Sequence, residues 1–348
     1  MQSTVGVEPR TPWRNPRRTF VERTAVSLVS AVAATVIYVA TGLDGLLGWY
    51  VAFALASLAV VAIRAFVSRS ASPADQLASA LIGFGFATVM IPWLSLVSTV
   101  VRRGWDAIYF GFFTHDMLVN SLDDPLNVGG ISHAIVGTII IVGIATLIAA
   151  PLGIVAAVYI VEVKGRAART VRFLTQAMSG VPSIVAGLFI YSTIVIGVTH
   201  RNNALAGALS LVVLMLPTVA RTSEEVLKVV PRELRDASYA MGATQLRTTV
   251  RVVLPTVKSG LITATVLGIA RVAGETAPLI LTSQYYPKLV TDIFKSPMAS
   301  LPTYVFGALR TGTEQSIARA WSGSLVLIAL VVALAISARL ISGFGRRK

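Results

Sequence analysis

Eight apolar segments punctuate the chain: 25–41, 46–67, 77–101, 133–162, 177–199, 203–220, 260–281 and 321–341. A helix needs roughly 20 mainly apolar residues to cross about 30 Å of hydrocarbon, and most of these segments are that long. The first is short, the fourth is long enough to run past a bilayer, and a tight turn through Thr199-His200-Arg201-Asn202 joins the fifth to the sixth. Of the 348 residues only 13% are charged and mean hydropathy is +0.74, whereas a soluble domain carries about 25% charged residues. A soluble globular enzyme, a disordered chain and a collagen-like chain are therefore excluded. The fold class expected is all-α, in a polytopic membrane protein. With no cysteine, disulfides, thiolate metal sites and a thiol nucleophile are excluded too.

Net charge is +14, which in a soluble protein would suggest nucleic acid. In a membrane protein the distribution matters more, because cytoplasmic flanks collect Lys and Arg. With the N-terminus inside, 22 of the 30 Lys+Arg fall on inner flanks, seven on outer loops and one, Arg271, within a span. The reading is a multi-pass protein of a bacterial plasma (inner) membrane, both termini cytoplasmic, with no nucleic-acid partner. Residues 1–24 form a basic arm, rich in Arg and Pro, expected to be disordered or to lie on anionic membrane lipid. The basic lead of the first apolar stretch is long and no clear A-x-A site precedes a soluble domain, so the stretch reads as a span rather than a cleaved signal. Trp49, Tyr50, Tyr159 and Trp321 sit at span ends, where interfacial anchoring accounts for them.

The inner loop 221–259 is long enough to hold structure. Three helical pieces are predicted: Thr222–Val230, Arg232–Met241 opened by Pro231, and one N-capped by Thr244 that runs to Leu254 before Pro255. Gly242 is placed to end the middle piece in a left-handed conformation. That piece carries Leu234, Ala237, Ser238 and Met241 at the i, i+3, i+4, i+7 spacing of one face, with Arg232, Arg235 and Asp236 around it. Such a helix either lies on its own bundle or docks in a partner's groove.

The seventh segment holds Arg271 near its middle and Glu275 four residues later. A cation there costs about 3 kcal/mol on insertion scales, so it is expected to face a bundle interior or a wet pathway. On a continuous helix the two lie one turn apart and can pair. Two roles are open: a structural ion pair, or a pathway in which Glu275 holds Arg271 until an anion passes. Gly268 and Gly274 are read as sites of close helix approach, and Pro278 as freeing a backbone carbonyl. Gly180-Val181-Pro182-Ser183 opens the fifth segment as a helix N-terminus suited to an anion, weak evidence by itself.

These motifs carry a resemblance. Asp236-Ala237-Ser238, Gly242 and Val252-Val253-Leu254-Pro255 keep the spacing of the EAA-x3-G-x9-I-x-L-P loop of ABC importer permeases, with Asp for Glu, Ser for the second Ala and Val for Ile. Gly180–Leu188, Ala270-Arg271 with Gly274-Glu275-Thr276-Ala277-Pro278-Leu279, and Pro297–Pro302 resemble the PstA permeases of phosphate-specific ABC importers, over residues 77–348. So do Gly129-Gly130-Ile131 and Ala320-Trp321-Ser322-Gly323. The resemblance implies a six-helix type I permease core over 77–348, with 25–76 an extra helix pair. It implies inorganic phosphate as substrate, a PstC-like second permease, a PstB-like ATPase dimer and a PstS-like binding protein. It implies passage roles for Arg271 and Glu275. It also makes Arg232, Leu234, Arg235, Asp236, Ala237, Ser238, Met241 and Gly242 a coupling helix for the ATPase. No Gly-Lys pair occurs anywhere, so no P-loop is available. ATP and Mg are accordingly expected on the partner, with no cofactor or metal in this chain and no enzymatic activity of its own.

Three rivals follow from the same residues. A permease for sulfate or molybdate would share the EAA-like loop. A proton-coupled secondary transporter would not need it. A lipid-active intramembrane enzyme would need clustered acids or histidines, whereas His115, His133 and His200 are scattered.

Overall fold

A computed structural model describes residues 17–42, 45–67 and 73–344, and among them every regular element is a helix. The first three are α1 (Arg17–Thr41), α2 (Gly45–Val67) and α3 (Pro73–Arg103). A short α4 (Phe110–Thr114) precedes α5 (Ser132–Val158), which a π-helical turn prolongs to Val163. Then come α6 (Ala168–Ser179), α7 (Ser183–Ile190) with a π-helical continuation to Thr199, α8 (Ala204–Lys228) and α9 (Arg232–Ala240). A rod follows, made of α10 (Gln245–Thr248), a π-helical stretch and α11 (Leu254–Thr256). The last elements are α12 (Lys258–Val272), α13 (Ala277–Thr282), α14 (Leu301–Thr311) and α15 (Glu314–Phe344).

Four of the described helices are long and apolar enough to cross a membrane, within Leu81–Arg103, Ser132–Val163, Ala204–Lys228 and Glu314–Ser337. The number rises to six if two bent pairs each count as one span: Ala168–Ser179 with Ser183–Thr199, bent by 105°, and Gln245–Thr256 with Lys258–Val272, bent by 72°. α1 and α2 contribute shorter apolar stretches, Leu28–Thr41 and Gly48–Val60.

The chain divides into two compact units, Met1–Val97 and Ser98–Lys348, and α3 runs across the division. In the first, α1 and α2 meet through Ala34, Ala52 and Ala56, all essentially buried. Trp49 stacks on Phe53 at 5.5 Å, and its Nε1 donates to Thr35. Tyr50 and Thr88 share a hydrogen bond between their hydroxyls.

The second unit is built on α5 against α8. Lipid tails compete equally for apolar side chains, so membrane helices associate best where small residues let backbones approach. Ala145 and Ala149 of α5 and Ala208 of α8 supply that seam, with Leu211, Met215 and Val219 filling the gaps. At Gly153 an added Cβ would lie 3.0 Å from the Val219 side chain. α12 joins at Gly268, where a Cβ would lie 2.8 Å from Val219.

Outside the seventh segment, the structure departs from the sequence reading in five places. The basic arm is helical from Arg17 on, and its first 16 residues lie outside the described part. The inner flank 163–173 leads into α6, an amphipathic helix set off from α7 by Pro182, which has no N–H to continue it. The piece expected at Thr222–Val230 is the end of α8, where buried Glu224 is held by Arg172 at 3.0 Å and by Lys228 at 2.9 Å. The rod begins as expected, with Thr244 accepting from the Arg247 N–H, but continues past Leu254 to Thr256. The segment 282–320, expected as an outer loop, contains α14, started by a reciprocal capping box between Ser300 and Thr303, and α15 begins at Glu314 rather than near Trp321.

Candidate functional site

The α9 segment is fixed from below. Arg235 lies on its inner side and makes a two-pronged ion pair with Glu162 in the π-helical end of α5, Nη2–Oε1 at 2.6 Å and Nε–Oε2 at 3.1 Å. Its guanidinium also reaches the carbonyls of Val230 at 2.7 Å and Leu227 at 3.2 Å, where the chain leaves α8 for α9. Glu162 is 4% exposed and Arg235 16%. The carboxylate raises the guanidinium's pKa still further, chiefly through the hydrogen bond. Gln245 adds a 2.6 Å bond from its amide to the Glu162 carbonyl, and Ser238 bonds Thr248 at 2.8 Å.

Gly242 ends α9 at φ +77°. Its N–H donates to Tyr239 and that of Ala243 to Ser238, which closes a Schellman motif and satisfies two orphan carbonyls. Nothing lies within 4 Å of a Cβ built there, so within this chain the glycine is required by its backbone conformation. Arg232, Leu234, Asp236 and Ala237 of α9 are all exposed, and Met241 follows at 87% exposure. The expected stripe therefore divides: Leu234, Ala237 and Met241 face out, whereas Ser238 and Arg235 hold the segment to its own bundle.

The seventh span is broken. α12 stops at Val272, the chain crosses Ala273–Thr276 without helix, and α13 restarts at Ala277 with Pro278 in its first turn. Arg271 and Glu275 consequently do not share a helix face. Among the described residues Arg271 has no carboxylate partner: it is exposed, and its Nη1 donates to Thr218 of α8 at 3.1 Å. Glu275 is half-exposed in the break, its N–H bonded to the Val272 carbonyl. The expected pairing thus gives way to two separately presented charges. Close approach holds for Gly268 but not for Gly274, which faces open space. It holds instead at Gly187 of α7, where a Cβ would lie 2.6 Å from Pro278 Cα. Pro278 opens a helix and does not kink one, so it frees no mid-helix carbonyl. Val185 and Ala186 N–H groups both donate to the Pro182 carbonyl, which uses part of the α7 N-terminus.

Sequence reasoning missed Glu162, which reads as one more polar residue at a span end, and Arg319. The latter is fully buried in α15 and donates to the carbonyls of Asp124, Pro125 and Val128, clamping the turn at 124–128. An Arg inside an apolar run was the available signal, hidden because 314–320 was read as loop.

A family model described as binding-protein-dependent transport system inner membrane component matches residues 149–344. The phosphate transport system permease protein PstA 1 of Mycobacterium tuberculosis (strain CDC 1551 / Oshkosh) is 38% identical over 276 residues, which covers 79% of this chain and 90% of that protein. PstA of Yersinia pestis is 37% identical over 267 residues, 76% of this chain and 86% of the relative. Two solved structures share the fold at low identity. One is a bacterial ABC transporter involved in import of the acidic polysaccharide alginate, with TM-score 0.55, 12% identity, and coverage of 79% of this chain and 99% of that one. The other is the inward-facing MetNI methionine ABC transporter, with TM-score 0.50, 19% identity, and coverage of 62% and 94%. The resemblance read from the motifs therefore holds: the chain belongs to the family of binding-protein-dependent transport system inner-membrane components, and is a multi-pass membrane subunit of an ABC importer, not an enzyme.

Proposed function

We propose that the chain is one half of the pathway of an ATP-driven importer of inorganic phosphate, with Arg271 as the cation that meets the anion. The observation that carries this reading is an exposed guanidinium without a carboxylate partner, beside a break in a span. Non-helical backbone at membrane depth is tolerated where it is buried or lines a cavity, and a guanidinium fork matches phosphate oxygens. The relatives named phosphate permeases supply the substrate. Glu275, one turn of chain away, keeps the local charge from trapping the ion. The second half of the pathway comes from a PstC-like permease facing Arg271. A PstB-like ATPase pair binds ATP and Mg and seats the outward side of α9, through Leu234, Ala237 and Met241. A PstS-like binding protein delivers phosphate from outside. Both termini lie in the cytoplasm, as the distribution of Lys and Arg supports.

The test is phosphate uptake by an Arg271→Ala chain that still assembles with its ATPase. A charged hydrogen-bond partner contributes about 1.5–3 kcal/mol, so uptake should fall roughly ten- to a hundredfold. Uptake at the wild-type rate would remove Arg271 from the pathway, and equal competition by sulfate would remove phosphate as the specific substrate.

A further inference from the structure

A cavity beside α9 has a chemistry that phosphate passage past Arg271 does not use. It measures about 690 Å³, within the roughly 300–1,000 Å³ of small-molecule sites. Its walls are the π-helical end of α5, α6, the last turn of α8 and α9, and no residue of α12 lines it. Five cations line it, Lys164, Arg172, Lys228, Arg232 and Arg235, against two carboxylates, Glu162 and Asp236. Glu162 is taken by Arg235, Arg172 and Lys228 share the buried Glu224, and Lys228 also pairs with Glu225 at 3.0 Å. Among the described residues Lys164 and Arg232 make no ion pair. Lys164 holds φ +52°, an uncommon conformation for a residue with a side chain. Its N–H closes the π-turn onto Tyr159, so the helix stops at this residue, which lines the cavity.

An excess of cations around a cavity of this size suits a multiply charged oxyanion, and Arg presents a fork that matches it. We propose that this cavity binds a phosphate-bearing anion, held by Lys164 and Arg232 with Arg172 and Lys228 behind them. The orientation proposed above places it in the cytoplasm, and to that extent the inference rests on the transport reading. There both free phosphate and anionic lipid headgroups carry the required chemistry. An occupant would tie α9 to the end of α5 and to α6, which leads through the 105° bend into α7. It would thereby stiffen the link between the loop helix and a span.

The test uses the full-length chain in nanodiscs, in an Arg271→Ala background that removes the pathway cation. The probe in phosphatidylcholine discs is labelled orthophosphate. One site is expected, weakened at least about tenfold by Lys164→Gln with Arg232→Gln and retained by Lys164→Arg. In discs containing phosphatidylglycerol, persistence of that binding identifies a free anion. Its replacement by phosphatidylglycerol retained in native mass spectra, and lost in the double variant, identifies a headgroup. Either result supports the site. Equal binding by the double variant, displacement by chloride at matched ionic strength, or no binding of either probe overturns it. So does a Lys164 cross-link to an ATPase carboxylate, which would make the cavity a protein contact. Normal uptake by Arg271→Ala would instead overturn the transport reading and leave this binding measurement unaffected.

Discussion

Replacing Arg235 with Ala isolates one buried ion pair. The variant leaves Glu162, 4% exposed, without its partner. It also removes the side-chain donor from the carbonyls of Val230 and Leu227, the latter keeping the Val230 N–H at 3.4 Å. Breaking a buried pair by removing one member costs about 3–5 kcal/mol, because the remaining charge stays desolvated. The α9 segment otherwise rests on Ser238–Thr248 and the Gly242 turn, so this loss falls on local opening more than on the whole bundle. At 1.4 kcal/mol per factor of ten, amide exchange across 232–240 should speed up by about a hundredfold or more. Exchange in the spans should barely change. Hydrogen-exchange mass spectrometry on the purified chain reads both. A paired replacement, Arg235→Met with Glu162→Leu, should recover most of the protection, since removing both charges together is often neutral or stabilising. Exchange in Arg235→Ala within threefold of wild type would refute the reasoning, as would a double variant no better than the single one.

Gly242→Ala should destabilise the end of α9 by about 1–2 kcal/mol, because φ +77° penalises a Cβ even where space is free; Gly242→Asn should restore part of this in the same exchange assay. Gly187→Ala should drive α7 away from α13, since the Cβ would lie 2.6 Å from Pro278 Cα, and overpacking of this kind costs about 1–3 kcal/mol; a lowered melting temperature in detergent measures it. Asp116 titrates below the usual carboxylate value, chiefly because the Leu289 N–H bonds its Oδ2, with the Leu118 N–H on Oδ1. Its contribution to joining the outer loops is therefore complete above about pH 4. It is lost as pH falls through the depressed folded value, and faster exchange at 287–290 in acid, abolished by Asp116→Asn, would show it.

The sequence by itself determined what depends on local chemistry and on the solvent. Apolar length marked the spans because hydrocarbon leaves backbone groups no partner but their own helix. α9 and its glycine end were legible because capping is set within a few residues, and the lack of a Gly-Lys pair showed that this sequence carries no P-loop motif. The tertiary structure decided which charges meet. Glu162 and Arg235 lie 73 residues apart, so no spacing rule relates them. Arg271 and Glu275 fit a helical spacing, yet the helix ends between them. There Pro278 has no N–H to continue α12, opens α13 instead, and packs against Gly187 of another helix. Periodicity records what a helix would present if it continued. Whether it continues depends on what packs against it.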